Sequence, residues 1–293
     1  MNLTNKELLD AGVHFGHLKK KWNPKMSPYI FMERKGIHII DLNKTMSKLE
    51  EAGAALRQVA RSGKKILFVA TKKQAKELVK KNAEKCNMPF VTERWLGGML
   101  TNFATIRKSV KRMQSIDKMV AEANITKKER LMLEREKTKM ERVIGGIAGL
   151  NRTPAAIFIV DIAYEHIALA ESRKLGIRTF AMVDTNSDPT KVDFPIPAND
   201  DASKSIELIC DYITDCVIQG LEDRKTDKTE SASAVGKDVE AGDEGGEKKD
   251  LGTGRRMRSR RKKADEETAA AATETPAAKE TPAADAKAED KSE

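Results

Sequence analysis

Acidic side chains at the ends of apolar segments are the residues of this sequence best placed to do chemistry. Asp161 ends the segment A-A-I-F-I-V-D, Asp184 and Asp188 lie in V-D-T-N-S-D-P, and Asp200 and Asp201 follow. The carboxyl ends of parallel strands share one sheet edge, where ligands usually bind, and several carboxylates there can hold a divalent cation. Asp also caps helices and tightens turns, which is the more frequent use. The candidate metal ligands are Asp184, Asp188, Asp200 and Asp201.

A second group combines imidazole, indole and lysine side chains in a predicted loop over residues 12–28. His14 and His17 lie three positions apart in A-G-V-H-F-G-H, and L-K-K-K-W-N-P-K-M follows. A His-x-x-His pair can bind a metal, but this one has no nearby Cys or carboxylate. Rings that stack on bases, alternating with cations that contact phosphates, are typical of an RNA-contacting loop. The alternative is that Phe15 and Trp22 fix the loop to the core.

The segment E-R-W-L-G-G-M-L-T-N-F, residues 93–103, joins a planar cation and a large ring to a Gly-Gly pair. Arg94 and Trp95 could contact a large partner, and the glycines let that partner approach the backbone closely. The segment contains none of the usual nucleophiles.

Motifs of enzymes and nucleotide-binding proteins are missing from the sequence. There is no G-x-x-x-x-G-K-[ST], no G-x-G-x-x-G, no G-x-S-x-G and no H-E-x-x-H, so neither a phosphate-cradling loop nor a common catalytic centre is indicated. An enzyme that binds a nucleotide or sugar phosphate at the strand ends near Thr71, Asp161 and Asp184 stays as the alternative hypothesis. We expect a protein that is not an enzyme.

Charge is distributed unevenly along the 293 residues, whose formal net charge is +9. Residues 225–293 carry 15 basic and 17 acidic residues, which leaves 39 basic and 28 acidic residues in 1–224, a net charge of +11 there. A surface this basic favours nucleic acid or an anionic membrane as partner. No apolar run long enough to span a membrane and no signal peptide are recognised. Three widely spaced Cys residues indicate buried thiols in a reducing cytosol.

Apolar strands alternate with helical patterns through most of the sequence, which predicts a parallel sheet covered by helices on both faces, an α/β fold of the doubly wound kind. Strands are expected at 37–40, 65–70, 89–91, 155–161 and 178–184. Helices are expected at 5–11, through Leu49, Leu56 and Val59 with an end at Gly63, around 75–79, at 165–175 and at 202–220.

Two segments do not belong to this alternation. Residues 101–145 contain two helical patterns with a narrow apolar seam, and they predict an antiparallel coiled-coil hairpin that adds little to the core. The tail, residues 225–293, lacks periodicity and is predicted to be disordered. Its basic cluster R-R-M-R-S-R-R-K-K, residues 255–263, either contacts phosphates or is a solvated charge block. The α/β domain is therefore assigned to 1–100 and 146–224.

Several ordered blocks of the sequence resemble the bacterial small-subunit ribosomal protein S2 family. They are A-G-V-H-F-G-H with K-W-N-P-K-M at 11–26, I-H-I-I-D-L-N-K-T at 37–45, R-W-L-G-G-M-L-T-N-F at 94–103, A-A-I-F-I-V-D at 155–161, V-D-T-N-S-D-P at 183–189 and I-P-A-N-D-D-A at 196–202. The resemblance covers about residues 3–222 and excludes the tail.

The resemblance implies a flavodoxin-like α/β domain that carries a coiled-coil hairpin and binds RNA without catalysing a reaction. Its implied partners are small-subunit rRNA, neighbouring small-subunit ribosomal proteins, and the mRNA-capturing protein of repeated OB-folds that it helps to recruit. The implied location is the small ribosomal subunit in the cytoplasm. RNA contacts carried over from the family fall on His14, His17, Lys19, Lys20, Lys21, Trp22, Asn23, Lys25, Arg94, Trp95, Thr101 and Asn102. Weaker candidates are Lys72, Lys73, Arg107, Lys108, Lys111 and Arg112.

Overall fold

Eight strands and seven α-helices make up the part of the chain that this computed structural model describes, residues 3–121 and 126–240. In chain order they are α1 (Asn5–Asp10), β1 (Phe15–Leu18), β2 (Ile30–Arg34), β3 (Ile37–Ile40), α2 (Leu42–Arg61), β4 (Ile66–Val69), α3 (Lys76–Lys85), β5 (Phe90–Val91), α4 (Phe103–Ala121), α5 (Lys127–Ile144), β6 (Ala156–Val160), α6 (His166–Lys174), β7 (Arg178–Val183), β8 (Phe194–Pro197) and α7 (Ser203–Glu240). The basic cluster at 255–263 lies outside the described residues.

The central sheet has five parallel strands in the order β5-β4-β6-β7-β8. Numbered within this sheet alone, that order is 2-1-3-4-5, the flavodoxin-like arrangement, so the predicted fold is confirmed. One phenylalanine from each strand lies in the same register row, and the row crosses the whole sheet. Its members are Phe90, Phe68, Phe158, Phe180 and Phe194.

Alternate residues of the strands face two separate apolar layers, as the period of two in a strand requires. On one face, Phe68, Phe158 and Phe180 pack with buried side chains of α2, α3 and α7. On the other face, Leu67, Ile157 and Ala181 belong to a layer that also contains residues 95–100, α6 and the base of the hairpin. The strands are buried on both sides, which is why they are continuously apolar in sequence.

The helices α4 and α5 run antiparallel. The guanidinium of Arg107, near the start of α4, donates to the carbonyl oxygens of Ala148 and Leu150 after α5, whereas Arg130 at the start of α5 reaches the carbonyl oxygen of Val120 at the end of α4. The hairpin is not merely a projection. Ile106, Val110 and Met113 of α4 are buried in the second layer of the core, so the expectation that it adds little core was wrong for its base.

We expected the segment at 37–40 to be a strand of the parallel sheet, and this was wrong. It is the centre of a separate antiparallel sheet with the order β1-β3-β2, and both partners come from or adjoin the predicted loop. Strand β8 was also missed, because Pro195 and Pro197 break a strand pattern. Proline lacks an N–H and is tolerated at a sheet edge, which is where β8 lies.

Helix α7 continues to Glu240, beyond the predicted helix end at 220 and beyond the start of the predicted disordered tail at 225. Two ion pairs join it to α2. Arg57 Nε lies 2.7 Å from the Asp223 carboxylate, and Arg61 Nε lies 2.8 Å from that of Asp227. These contacts join α7 to α2 beyond its apolar part, as far as Asp227. Among the described helices, none combines the length and apolarity needed to cross a membrane.

Gly146 marks the place where the end of the hairpin touches the sheet edge. A Cβ on Gly146 would overlap the carbonyl oxygen and ring of Phe90, whereas a Cβ on Gly149 would meet no atom within 4 Å. We therefore expect Gly146→Ala to lower the free energy of unfolding by about 1–3 kcal/mol through overpacking. Gly149→Ala is the matched control and should change it by less than about 1 kcal/mol. Urea denaturation measures both, and equal effects would contradict this packing.

Candidate functional site

The carboxylate of Glu171 on α6 organises the segment that joins the sheet to the hairpin. Its Oε1 accepts hydrogen bonds from Trp95 Nε1 at 3.1 Å and from the Gly98 N–H at 2.7 Å. Its Oε2 accepts from the N–H groups of Leu100 and Thr101, both at 3.0 Å, and from the Thr101 hydroxyl at 3.1 Å. Five donors thus converge on one buried carboxylate. Gly98 supplies the positive φ of 84° that the turn needs.

Burial of the Glu171 carboxyl would by itself raise its pKa. The hydrogen bonds from Thr101, Trp95, Leu100 and Gly98 outweigh that effect, and the pKa lies below its ordinary value of 4.5. The group is therefore ionised whenever the protein is folded near neutral pH, and it acts only as an acceptor.

Two residues of the segment that we expected to contact RNA have internal partners instead. The Trp95 side chain is buried, with 7% exposed, and its indole N–H is bound to Glu171. The hydroxyl and N–H of Thr101 are bound to the same carboxylate. Arg94, Thr101 and Asn102 are all exposed, but of these three only Thr101 is bonded to Glu171. The Arg–Trp pair is thus divided, because one ring is needed in the core and the neighbouring cation faces solvent.

Lys72 lies at the centre of an acidic cluster at the carboxyl ends of the strands. Its Nζ is 3.2 Å from Asp161, 2.8 Å from Asp200 and 2.6 Å from Asp201. Burial would lower the pKa of Lys72, but the bonds to Asp200 and Asp201 raise it above its ordinary value. With 14% of the side chain exposed, Lys72 neutralises these carboxylates and is not positioned for the RNA contact that we expected.

His17 completes this acidic cluster from the small antiparallel sheet. Its Nδ1 lies 2.9 Å from Asp184 and its Nε2 lies 3.4 Å from Asp201. The hydrogen bond with Asp184 is the largest influence on the imidazole, and the pKa of His17 is raised above 6.5. His17 therefore has internal partners on both ring nitrogens, and the RNA contact expected for it stays a prediction.

His17, Asp184 and Asp200 offer one ligand atom each within 4.8 Å of one another. Oδ2 of Asp200 is buried and, within residues 3–121 and 126–240, accepts no hydrogen bond. Burial and the nearby Asp161 and Asp184 carboxylates raise the pKa of Asp200 to about 7. A buried carboxylate oxygen with no donor, beside an imidazole and a second carboxylate, fits a divalent cation of the zinc type, which binds His nitrogen and Asp oxygen.

Asp188, one of the four predicted metal ligands, is not a member of this triad. Its Oδ2 lies 2.7 Å from Lys25 Nζ, and its Oδ1 accepts from the N–H and hydroxyl of Thr190. Despite some burial, these bonds lower the pKa of Asp188 to about 2. Lys25 was an RNA candidate, and its ammonium already has this partner.

The remaining RNA candidates differ in exposure. Arg107 donates to the carbonyl oxygens of Ala148 and Leu150 and to Oδ1 of Asn151. His14 is partly buried, and this burial lowers its pKa. The Trp22 ring lies 5.0 Å from that of His38, and Asn23 caps a 3₁₀ turn. Lys19 and Arg112 are exposed but pair with Glu33 and Glu136. Exposed candidates for which the described residues supply no side-chain partner are Lys20, Lys21, Lys73, Arg94, Lys108 and Lys111.

Glu171 was absent from our sequence-based candidates. A signal for it existed, because Ala168, Leu169 and Ser172 of the same helix are buried. A Glu within the buried side of a helix indicates an internal donor set, since ionised side chains are rarely buried without partners. The identity of those donors, 70 to 76 residues earlier in the chain, could not be read from the spacing.

Comparison with known proteins gives a consistent result. Residues 8–220 match the family model described as "Ribosomal protein S2". A protein of Cytophaga hutchinsonii is 62% identical over 229 residues, covering 77% of this chain and 90% of its own. One from Christiangramia forsetii is 60% identical, with 76% and 75% covered, and one from Flavobacterium johnsoniae is 59% identical, with 80% and 94% covered. Each is called small ribosomal subunit protein uS2.

Replacing Glu171 by Gln should remove one of the two oxygens that accept hydrogen bonds from Trp95, Gly98, Leu100 and Thr101. One carboxylate oxygen becomes an NH₂ group that faces donors, so we expect the free energy of unfolding to fall by about 2–4 kcal/mol. Urea denaturation followed by Trp fluorescence measures it. Glu136→Gln, on the exposed hairpin, is the control and should cost less than about 1 kcal/mol.

The same variant has a pH signature. Because the folded pKa of Glu171 is depressed, its contribution is complete above the unfolded value near 4.5 and is lost as pH falls through the folded value. The stability difference between wild type and Glu171→Gln should therefore shrink on acidification. A difference independent of pH would show that the charge of Glu171 does not matter.

The triad of His17, Asp184 and Asp200 predicts that about one Zn²⁺ binds to each chain. Asp184→Asn should weaken Zn²⁺ binding about tenfold or more, and Asp188→Asn, which changes a carboxylate outside the triad, should not. Calorimetric titration of the metal-free protein gives the affinities, and elemental analysis gives the stoichiometry. No bound metal in the wild type, or equal losses in both variants, would refute this site.

Proposed function

The chain belongs to the ribosomal protein S2 family, and from that premise we propose that it binds rRNA of the bacterial small subunit through its exposed basic residues. It is a structural constituent of the small ribosomal subunit, and its family is not one of enzymes. The observation that carries the assignment is the match across residues 8–220, which includes both the sheet domain and the hairpin.

Charge supports RNA as the partner. Residues 1–224 have a net charge of +11, and many of the acidic side chains in this part are already paired. Asp161, Asp200 and Asp201 share Lys72, while Asp223 and Asp227 pair with arginines of α2. Unpaired lysines therefore dominate the outer field, which attracts polyanions.

Two exposed surfaces are the best candidates for phosphate contact. The lysine turn, a 3₁₀ turn at Lys19–Lys21, places three ammonium groups on consecutive residues. The hairpin lysines, Lys108 and Lys111 on α4, lie three residues apart and so on one face of that helix. Arg94 and Lys73 add cations near the strand ends. Phosphate contacts of this kind position a protein on RNA without reading its sequence.

Protein partners complete the proposal. We expect neighbouring small-subunit proteins to contact this chain and the mRNA-capturing OB-fold-repeat protein to be recruited with its help. Exposed apolar side chains support a protein-binding surface, and Phe31 on β2 is the most exposed of them at 69%. The same assignment implies that the protein is located in the cytoplasm, in the small ribosomal subunit.

The alternative, an enzyme with a nucleotide or sugar phosphate at the strand ends, has less support. The edge near Thr71, Asp161 and Asp184 is filled by internal bonds. Thr71 donates to Glu165, Asp161 and Asp184 pair with Lys72 and His17, and no free phosphate-binding turn is formed by these residues.

The hairpin lysines give a direct test through salt dependence. Each phosphate contact contributes about one unit to the slope of log affinity against log salt. The double variant Lys108→Ala with Lys111→Ala should therefore bind small subunits depleted of this protein with a slope about two units less steep. Cosedimentation over a salt series measures it.

The matched control removes two other exposed lysines, Lys80 and Lys81 of α3, which lie on the opposite layer of the sheet from the hairpin. Lys80→Ala with Lys81→Ala should leave the slope unchanged. Equal slopes for the two double variants would remove the hairpin lysines from the interface, and no cosedimentation of the wild type at low salt would refute the proposed function itself.

A further inference from the structure

A cleft of about 440 Å³ lies between α6 and the loop that follows β7. Its volume is within the range of small-ligand sites, roughly 300–1,000 Å³. The cleft shares no lining residue with His17, Asp184 and Asp200 or with the hairpin lysines, and of the RNA candidates only Asn23 lines it. Its walls divide into an apolar part, a cationic part and an amide part.

The apolar part consists of Ile162 and Leu169, both of which are 4% exposed. The imidazole of His166, at the start of α6, lines the same cleft and is exposed. The exposed ring of His166 can stack on the flat face of a nucleic-acid base, which does so without regard to its hydrogen-bonding edge, and the buried Ile162 and Leu169 form an apolar floor beside it.

The cationic part consists of Arg173 and Lys191. Both side chains are exposed, and within the described stretches of chain neither has an ion-pair or side-chain hydrogen-bond partner. Asp188 also lines the cleft, but its carboxylate is already bound to Lys25 and Thr190. The charge available to a ligand is therefore positive, and Arg173 can bind a phosphate through two parallel N–H groups.

The amide part consists of Asn23 and Asn186. The side-chain oxygen of Asn23 accepts from the N–H of Lys25 at 3.0 Å, and that of Asn186 accepts from the Ser187 hydroxyl at 2.8 Å. Each oxygen thus already accepts one hydrogen bond, whereas the NH₂ groups remain as donors for a ligand. Asn186 Nδ2 is only at the limit of contact with His17, at 3.5 Å. A ligand here needs acceptor atoms, as the edges of bases have.

We propose that this cleft receives one unstacked nucleotide of the small-subunit rRNA, with the base on the His166 ring above Ile162 and Leu169 and the phosphate between Arg173 and Lys191. The inference rests on the proposed RNA-binding function and makes it specific. RNA is recognised mainly where bases leave the helix and enter protein pockets, and this cleft combines all the parts that one such nucleotide requires.

The decisive variant fills the cleft without changing its charge. Ala170 is an exposed residue of α6 that lines the cleft, so Ala170→Phe occupies the space of the base. Ala54→Phe adds the same ring to an exposed position of α2 and is the control. Full-length proteins are bound to small subunits depleted of this protein, and the rRNA is probed with reagents that modify unpaired bases.

We expect the wild type and Ala54→Phe to protect one nucleotide that Ala170→Phe leaves reactive, at saturating protein. The affinity of Ala170→Phe should be about tenfold weaker or more, the effect of losing one stacked base. Arg173→Gln, which leaves the cleft open, should also weaken binding and reduce the salt slope by about one unit.

Unchanged protection and affinity in Ala170→Phe would overturn the proposal. So would saturable binding of free AMP or GMP to the isolated protein below 1 mM, about the upper limit of weak specific sites, because the cleft would then be a site for free nucleotides. A wild type that did not bind depleted subunits would refute the proposed function, which is a different result from a variant that binds normally.

Discussion

The buried carboxylate of Glu171 is the interaction on which the rest of the structure depends. It holds Trp95, Gly98, Leu100 and Thr101 in place, and α4 begins two residues later. The direction in which the hairpin leaves the sheet is therefore set by α6. An ionised group in this position must have its full set of donors, because a buried charge without partners costs several kcal/mol.

A similar use of charge closes the edge of the sheet where α/β enzymes bind their ligands. Lys72 and His17 lie among four aspartates at the strand ends, and the cluster joins the central sheet to the small antiparallel sheet that carries His17. Charged residues of this protein thus have two separate uses. Those at the sheet edge and at the hairpin junction hold elements together, whereas Lys20 and Lys21 of the lysine turn and the hairpin lysines remain free for a polyanion.

Much of the architecture followed from local patterns. The apolar strands β4, β6 and β7 were predictable, because a hydrophobic period acts within a few residues. Strand β8 was not predictable, because its prolines break the strand pattern, and the helical residues after 224 were not, because their charged sequence lacks an apolar period. The sequence also could not predict which lysines and arginines have no internal partner. Lys72 and Lys73 are adjacent, yet only the fold shows that three aspartates surround the first.

The central claim is this division between internal and outward-facing groups. Residue-level crosslinking of rRNA to the protein in intact small subunits tests it most directly. The account predicts crosslinks at exposed cations such as Lys20, Arg94 and Lys108, and none at Trp95 or Lys72. Crosslinks at Trp95 or Lys72, with the exposed lysines unmodified, would contradict it, because those side chains would then have to leave the core to reach the RNA.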